Sequence, residues 1–129
     1  MSVKGNATLT VLVADDFDDT RAVLRLMLES HNCRVVEAAD GLEAVEMARR
    51  ASPNLILMDL NMPMLDGLAA AQQIRQCKEV RRGVPILAIT AFDTYGMREA
   101  ALEAGCDDYL VKPIGADELD RVMRRLLPG

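Results

Sequence analysis

Polar side chains able to do chemistry follow four short apolar runs of the sequence. Asp15 and Asp16 come after the first run, and Asp59 comes after a later one. Thr90 and Lys112 end two further runs. Three carboxylates brought together repel one another, and a hard cation such as Mg²⁺, which prefers oxygen ligands, relieves that repulsion. The hydroxyl and the ammonium group suit an anion carried by the metal, such as a phosphoryl group.

A carboxylate beside such a metal can act as a nucleophile. Asp59 would attack a phosphoryl group and form an acyl phosphate. Lys112 and the metal would neutralise charge on the transferring oxygens. Each of these residues taken alone is more typical of a turn or a helix cap. We interpret them as a site because the whole set occupies equivalent positions at strand ends.

Strands and helices alternate along the whole chain. Short β-branched apolar runs predict the strands, and apolar residues at helical spacing predict the segments between them as helices. The predicted strands cover residues 9–14, 34–38, 55–58, 85–90 and 109–111. The predicted helices cover residues 18–30, 40–50, 65–77, 94–104 and 116–127.

Local signals mark several helix ends. Asp40 followed by Glu43 predicts a capping box at the start of the second helix. Gly105 predicts a left-handed cap after the fourth helix, and Gly96 is expected in that helix's first turn. We expect one of four acidic residues to cap the first helix. These candidates are Asp15, Asp16, Asp18 and Asp19.

The alternation predicts an α/β fold with a parallel sheet and right-handed crossovers. The first, third and fourth strands are almost continuously apolar, as expected when helices cover both faces of a sheet. Ligands of such open sheets bind beyond the carboxyl ends of the strands, where the polar residues fall. We expect a tail at residues 1–7 and a single domain at residues 8–129.

Composition excludes several classes of protein. The chain has 129 residues and a net charge of −5, which repels nucleic acid at long range. Arg121, Arg124 and Arg125 are interpreted as a solvated helix face. The sequence contains no apolar run long enough for a membrane span and no signal-peptide pattern, so we expect a cytoplasmic protein. The three cysteines are expected to be buried free thiols; they are Cys33, Cys77 and Cys106.

Four motifs resemble the receiver domains of bacterial response regulators, including single-domain receivers of the chemotaxis type. They are VLVADD at 11–16, LILMDLNMPMLDG at 55–67, ILAITA at 86–91 and YLVKPI at 109–114. The resemblance extends over residues 9–127. It implies a flavodoxin-like, doubly wound (βα)5 fold whose five-stranded parallel sheet has the order 2-1-3-4-5.

The resemblance also implies roles at the site. Asp59 would be the phosphoacceptor. Asp16 would bind Mg²⁺ directly and Asp15 mainly through water. The backbone carbonyl of Asn61 would complete the metal ligands, with Mn²⁺ as an alternative ion.

Further roles implied by the resemblance lie around the phosphoryl group. Lys112 would contact it, in a Lys112–Pro113 peptide that is expected to be cis. Thr90 would move to hydrogen-bond it, beside Ala91, and Tyr109 would then swing inward.

Two positions that tune the lifetime of the phosphoryl group in this family are Asn61 and Phe92. A bulky apolar Phe92 predicts slower self-dephosphorylation than a carboxylate or Gln there. The loop after the phosphorylation site would be shaped by Pro63 and by Gly67, which suits close packing or an unusual backbone angle.

The resemblance implies a signalling switch that phosphorylates and dephosphorylates itself without turning over a separate substrate. Its partners would be a sensor histidine kinase or phosphotransfer protein and a downstream protein target. The readout surface would be the fourth helix, fifth strand and fifth helix. A phosphorylation-dependent homodimer could use the three arginines at 121, 124 and 125 against Asp107 or Asp108 of a second copy; a solvent-exposed face is the alternative.

Three other functions share some of these features. An aspartyl-nucleophile phosphohydrolase would have a second Asp two residues after the nucleophile, where Asn61 stands. An FMN-binding flavodoxin would need a phosphate-binding loop after the first strand, where this chain is acidic. A receiver-like scaffold that is not phosphorylated would have lost Asp59 or Lys112, and both are present.

Overall fold

A computed structural model describes residues 8–127 of the chain, so the predicted tail at residues 1–7 lies outside the described part, as do residues 128–129. Five strands alternate with five helices. The strands are β1 (Thr10–Ala14), β2 (Arg34–Ala38), β3 (Leu55–Asp59), β4 (Ile86–Thr90) and β5 (Asp108–Val111). The helices are α1 (Asp18–Glu29), α2 (Gly41–Ala51), α3 (Gly67–Gln76), α4 (Met97–Glu103) and α5 (Ala116–Leu126).

The strands form one parallel sheet in the order β2-β1-β3-β4-β5. This confirms the predicted flavodoxin-like, doubly wound α/β fold. The chain turns back between β1 and β3, whose register pairs Ala14 with Met58. That reversal leaves a crevice beyond the carboxyl ends of these two strands.

Both faces of the sheet are covered, which explains the continuous apolar runs of the central strands. Successive side chains of a strand point to opposite faces. Ile56 and Met58 accordingly pack in a cluster with residues of α2, α3 and α4. Leu55 and Leu57 pack in a second cluster with residues of α1 and α5. These two layers fix the strand ends that carry the polar residues.

The starts of the third and fourth helices and the cap of the first helix differ from the prediction. The third helix begins at Gly67, two residues later than predicted, because Asp66 is its N-cap. The fourth helix begins at Met97, because Gly96 adopts a φ of 83° and so precedes the helix as its N-cap. The first helix has Phe17 as its N-cap. The Asp15 carboxylate instead accepts a hydrogen bond from the Phe17 N–H at 2.9 Å. The prediction that an acidic side chain caps this helix is therefore wrong among the residues that the structure describes.

The predicted capping box and the predicted left-handed glycine after α4 are confirmed. Asp40 accepts a hydrogen bond from the Glu43 N–H at 2.8 Å, and the Glu43 carboxylate accepts one from the Ala39 N–H at 2.6 Å. Gly105, with a φ of 105°, follows α4 as predicted. The prediction of buried thiols is confirmed for Cys33 and Cys106 but is wrong for Cys77, which is only half-buried because it lies just past the end of α3. Within residues 8–127, none of the helices is long and apolar enough to span a membrane.

Candidate functional site

Three carboxylates meet at the ends of β1 and β3. Asp15 and Asp59 are buried, and Asp16 is exposed. One oxygen of each lies within 4.8 Å of one oxygen of the other two. Neighbouring parallel strands bring these residues together, since both strands end at the same edge of the sheet. An oxygen-rich group of this kind fits a hard divalent cation, which would offset the mutual repulsion of the carboxylates.

Lys112 joins the buried pair of carboxylates. Its Nζ lies 2.8 Å from Asp15 Oδ2 and 3.3 Å from Asp59 Oδ2. Burial acts to lower the pKa of Lys112, but its hydrogen bond to Asp15 and the charge of Asp59 outweigh burial and raise this pKa. The side chain therefore stays an ammonium group. The Lys112–Pro113 peptide that follows is cis.

Asp59 is only 3% exposed. Burial raises the pKa of Asp59, and the charge of Asp15 adds to that rise. The Asn61 N–H donates to Asp59 Oδ1 at 3.0 Å and, with Lys112, lowers the pKa to a smaller extent. Even with Lys112 beside it, ionised Asp59 is thus costly, and a bound metal cation would offset that cost.

The hydroxyl of Thr90 is fully buried and held by two neighbours. It donates to Asn61 Oδ1 at 2.9 Å and accepts from the Phe92 N–H at 3.0 Å. Ala91 and Phe92, the next two residues, are exposed. The contact between the Thr90 and Asn61 side chains is not predicted from the sequence. The sequence predicts only that the backbone carbonyl of Asn61 binds the metal and that this residue tunes the lifetime of the phosphoryl group. The side-chain contact links the loop that follows β3 to the last residue of β4.

Tyr109 on β5 is buried with an exposed fraction of 3%. Its hydroxyl donates to Asp93 Oδ1 at 2.9 Å, and the guanidinium carbon of Arg98 lies 5.2 Å from the centre of its ring. Burial, and then the hydrogen bond to Asp93, raises the pKa of the phenol. Neither Asp93 nor Arg98 was predicted to act here, because their positions depend on the path of the loop from β4 to α4.

Arg21 is a further residue that sequence reasoning missed. Its Nη1 donates to the backbone carbonyl of Asp15 at 2.6 Å, and its Nε donates to Glu37 Oε1 at 2.9 Å. Glu37 lies on β2 and also pairs with Arg25. The guanidinium of Arg21 thus ties the loop that carries the acidic pair to the neighbouring strand.

Gly67, the first residue of α3, packs directly against the phosphoacceptor candidate's backbone. A Cβ at this position would lie 2.3 Å from the carbonyl oxygen of Asp59 and 2.7 Å from Leu60 Cα. The predicted need for close packing at Gly67 is therefore confirmed. The missing side chain lets α3 begin beside the end of β3.

The arginines of α5 are partly paired inside the chain. Arg125 forms an ion pair with Asp108, and Arg124 pairs with Asp120 at 2.7 Å. Asp107 pairs with Arg75 at 2.9 Å. The two acidic residues expected to meet arginines of a second copy therefore have arginine partners of their own.

The chain is similar in sequence to one family of known proteins. The family model described as "Response regulator receiver domain" matches residues 11–124. The chain belongs to this family, the receiver domains of two-component signalling systems. The response regulator MprA of Mycobacterium ulcerans is 41% identical over 93% of this chain. The chain spans about half the length of the first curated relatives that it matches.

Two similar solved structures are informative. The receiver domain of the sensor histidine kinase PA1611 from Pseudomonas aeruginosa, solved with a magnesium ion coordinated in its active-site cleft, is 42% identical. The match covers 93% of this chain and 98% of that one, with a TM-score of 0.84. The receiver domain of the Saccharomyces cerevisiae response regulator Ssk1, in complex with the histidine phosphotransfer protein Ypd1, is 31% identical with a TM-score of 0.84. That match covers 92% of this chain and 88% of the other.

Proposed function

We propose that this receiver domain accepts a phosphoryl group on Asp59 in a Mg²⁺-dependent reaction and passes the signal on through protein–protein contacts. The observation that carries the proposal is the position of the Asp59 carboxylate. It lies 3.3 Å from the ammonium group of Lys112 and within 4.8 Å of oxygens of Asp15 and Asp16. A nucleophile, a cation for the phosphoryl group and a cluster of metal-binding oxygens thus share one crevice.

The carboxylates of Asp15, Asp16 and Asp59, with the backbone carbonyl of Asn61, would hold the ion. Carboxylate and carbonyl oxygens suit Mg²⁺, with Mn²⁺ as an alternative. When bound, the ion supplies positive charge to the oxygens of the incoming phosphoryl group. A magnesium ion in the active-site cleft of the PA1611 receiver domain supports this assignment.

The Asp59 carboxylate attacks the phosphorus of a phosphohistidine. The P–N bond of the donor breaks, its electron pair stays on the imidazole, and an acyl phosphate forms on Asp59. Lys112 exchanges its contact with Asp59 for one with a phosphoryl oxygen. Water later cleaves the acyl phosphate and restores the carboxylate, at a rate tuned by Asn61 and Phe92.

The switch follows from the contacts of the buried hydroxyl. Thr90 leaves Asn61 and donates to a phosphoryl oxygen, with the backbone of Ala91 close by. Tyr109 responds to the space that Thr90 vacates, and the surface formed by α4, β5 and α5 carries the change to a protein target. The link from the site to Tyr109 is a proposed two-state coupling of the kind that phosphorylation biases.

The donor is a sensor histidine kinase or a phosphotransfer protein. The complex of the Ssk1 receiver domain with Ypd1 supports a phosphotransfer protein as one class of donor. The domain acts as a switch that turns over only its own phosphoryl group. Homodimerisation on phosphorylation would use the same surface, formed by α4, β5 and α5.

Intact-mass measurement with acetyl phosphate tests the proposal. We expect one added phosphoryl group in the presence of Mg²⁺, and none with EDTA or in Asp59→Asn. Glu103→Gln, which removes an exposed carboxylate at the end of α4, is the matched control and should be phosphorylated normally. Continuous release of phosphate from generic phosphate esters would favour a phosphohydrolase, and a lack of any adduct together with a failure to bind beryllofluoride would favour an unphosphorylated scaffold.

A further inference from the structure

Three cationic side chains in the loop between α3 and β4 lack acidic partners. Lys78, Arg81 and Arg82 are exposed and form none of the ion pairs found within residues 8–127. Most other arginines in this acidic chain are paired, several with two carboxylates. A concentration of unneutralised positive charge in a protein of net charge −5 is therefore a local departure from its overall charge.

The same side chains line one cavity of about 400 Å³, which we term the α3–β4 cavity. Arg75 and Gln76 also line it, and among the described residues none that lines it is acidic. Two carboxylates lie near the cavity and already have partners, so that Arg75 is neutralised and the unpaired charge comes from Lys78, Arg81 and Arg82. Glu79 pairs with Arg49 at 3.4 Å, and Asp107 accepts hydrogen bonds from Arg75 at 2.9 Å and from the Ile86 N–H at 2.8 Å.

This cavity is separate from the phosphorylation site. It lies in the loop that enters β4, whereas Thr90 lies at the far end of that strand. A strand of five residues spans about 16 Å. Molecules bound in the α3–β4 cavity would thus leave Asp59 and Lys112 free, and the inference does not depend on the proposed phosphorylation.

We propose that the α3–β4 cavity binds small molecules through a di- or triphosphate group. Guanidinium groups donate paired hydrogen bonds that match phosphate oxygens, and lysine adds a point charge. The volume falls in the range of about 300–1,000 Å³ that is usual for small-molecule sites. Among the described residues, no aromatic side chain lines the cavity, so it offers no surface on which a base could stack. Recognition would therefore depend on the phosphate chain.

Titration of the Mg²⁺-free protein with inorganic triphosphate, followed through backbone amide chemical shifts, tests the proposal. We expect saturable shifts over residues 75–83 and unshifted amides at Asp59. The double variant Arg81→Gln/Arg82→Gln should weaken binding about a hundredfold, since each of the two charge-assisted hydrogen bonds contributes on the order of a tenfold change in affinity. Arg121→Gln/Arg124→Gln removes the same charge from α5 and should leave the affinity within about twofold.

Two further ligands distinguish the source of the phosphate and the chemistry of recognition. A nucleoside triphosphate that binds as tightly as inorganic triphosphate would support the site and make nucleotides its source; a response to the inorganic anion alone would support it with polyphosphate as the source. The proposal is overturned if no saturable shift occurs, if both double variants weaken binding equally, or if citrate binds as tightly as triphosphate.

Discussion

Thr90 donates a hydrogen bond from its buried hydroxyl to the side-chain oxygen of Asn61, over 2.9 Å. The hydroxyl that is proposed to bind the phosphoryl group therefore already has an acceptor. Giving up that acceptor opposes the switch by the free energy of one hydrogen bond, on the order of 0.5–1.5 kcal/mol. We therefore expect Asn61 to act on the proposed switch through its side chain, in addition to the metal-binding role proposed for its backbone carbonyl.

The first prediction is that Asn61→Ala favours the phosphorylated conformation. Because the Thr90 hydroxyl is released, we expect the apparent affinity for beryllofluoride to rise about 2–10-fold. Amide chemical shifts in a titration with Mg²⁺ present measure this affinity. In a Thr90→Val background, Asn61→Ala should leave the affinity for beryllofluoride unchanged, because the hydroxyl that Asn61 holds is already gone. The four proteins form a double-mutant cycle that measures the coupling between the two side chains. An equal gain in both backgrounds would show that Asn61 acts independently of Thr90.

The second prediction concerns stability without a metal. Burial raises the pKa of Asp59 above its ordinary value of 3.8, so ionisation of this carboxyl opposes folding. Wild-type protein then loses stability as the pH rises from about 3.8 through the raised pKa of Asp59. The lost stability is not regained at higher pH. Asp59→Asn avoids the loss, and we expect its Tm in EDTA at neutral pH to be higher by several degrees, since about 1 kcal/mol corresponds to roughly 3–6 °C in a domain of this size.

Thermal unfolding across pH checks the sign of that effect. The gain in Tm should be full at neutral pH and should shrink towards zero as the pH falls to the ordinary range of an aspartic acid. Glu103→Gln should show no such dependence. A Tm of Asp59→Asn that is lower than the wild-type value at neutral pH in EDTA would contradict the electrostatic account of the site.

Much of this site follows from the sequence, for a physical reason. Strands of a parallel sheet end at one edge, so polar residues directly after apolar runs are brought together by any sheet of this order. Asp15, Asp59 and Lys112 are of this kind. The sequence also indicates Gly67, because glycine suits a position of close packing or of an unusual backbone angle, and the structure shows the close packing.

Residues whose contacts depend on loop paths could not be predicted. Asp93 accepts a hydrogen bond from Tyr109 in the loop between β4 and α4, where Gly96 adopts a left-handed conformation and α4 begins later than predicted. Arg21 reaches the Asp15 carbonyl through a turn whose cap was wrongly assigned. Neither contact has a periodic or motif signature, so only the folded backbone reveals them.

The third prediction concerns the lifetime of the phosphoryl group. Phe92 is exposed by 62% beside the site, and we expect Phe92→Glu to speed hydrolysis about tenfold, below the ~10²–10⁴ that a well-placed general base provides. The decay of phosphorylated protein after removal of the donor measures the rate. Tyr95→Glu introduces the same charge at another exposed aromatic residue of this loop and should change the rate much less. Equal rates in Phe92→Glu and wild type would exclude a tuning role for this position.

The fourth prediction concerns the hydrogen bond between Tyr109 and Asp93. The chain has two tyrosines and no tryptophan. In Tyr95→Phe, all tyrosine fluorescence therefore comes from Tyr109. In that background, Asp93→Ala should shift the ring about fivefold towards exposed conformations, which corresponds to a hydrogen bond of about 1 kcal/mol. Acrylamide quenching of tyrosine fluorescence measures the exposure.

A matched variant separates position from charge at Asp93. Asp93→Asn retains an acceptor oxygen, so the ring should stay buried, while the phenol pKa should fall because the neighbouring negative charge is gone. Asp93→Ala should lower that pKa further. If Asp93→Ala leaves both quenching and the phenol titration unchanged, the hydrogen bond does not hold the ring.

The most direct test of the account is to locate the phosphoryl group. Protein treated with acetyl phosphate and Mg²⁺ is reduced with borohydride, which converts an aspartyl phosphate into homoserine, and is then digested and sequenced by mass spectrometry. We predict homoserine at residue 59 alone, and only when Mg²⁺ is present. It should be absent from a variant with a neutral residue at position 112 and from a variant with a neutral residue at position 59. Homoserine at Asp15 or Asp16, or a modification that persists in Asp59→Asn, would contradict the assignment of Asp59 as the phosphoacceptor.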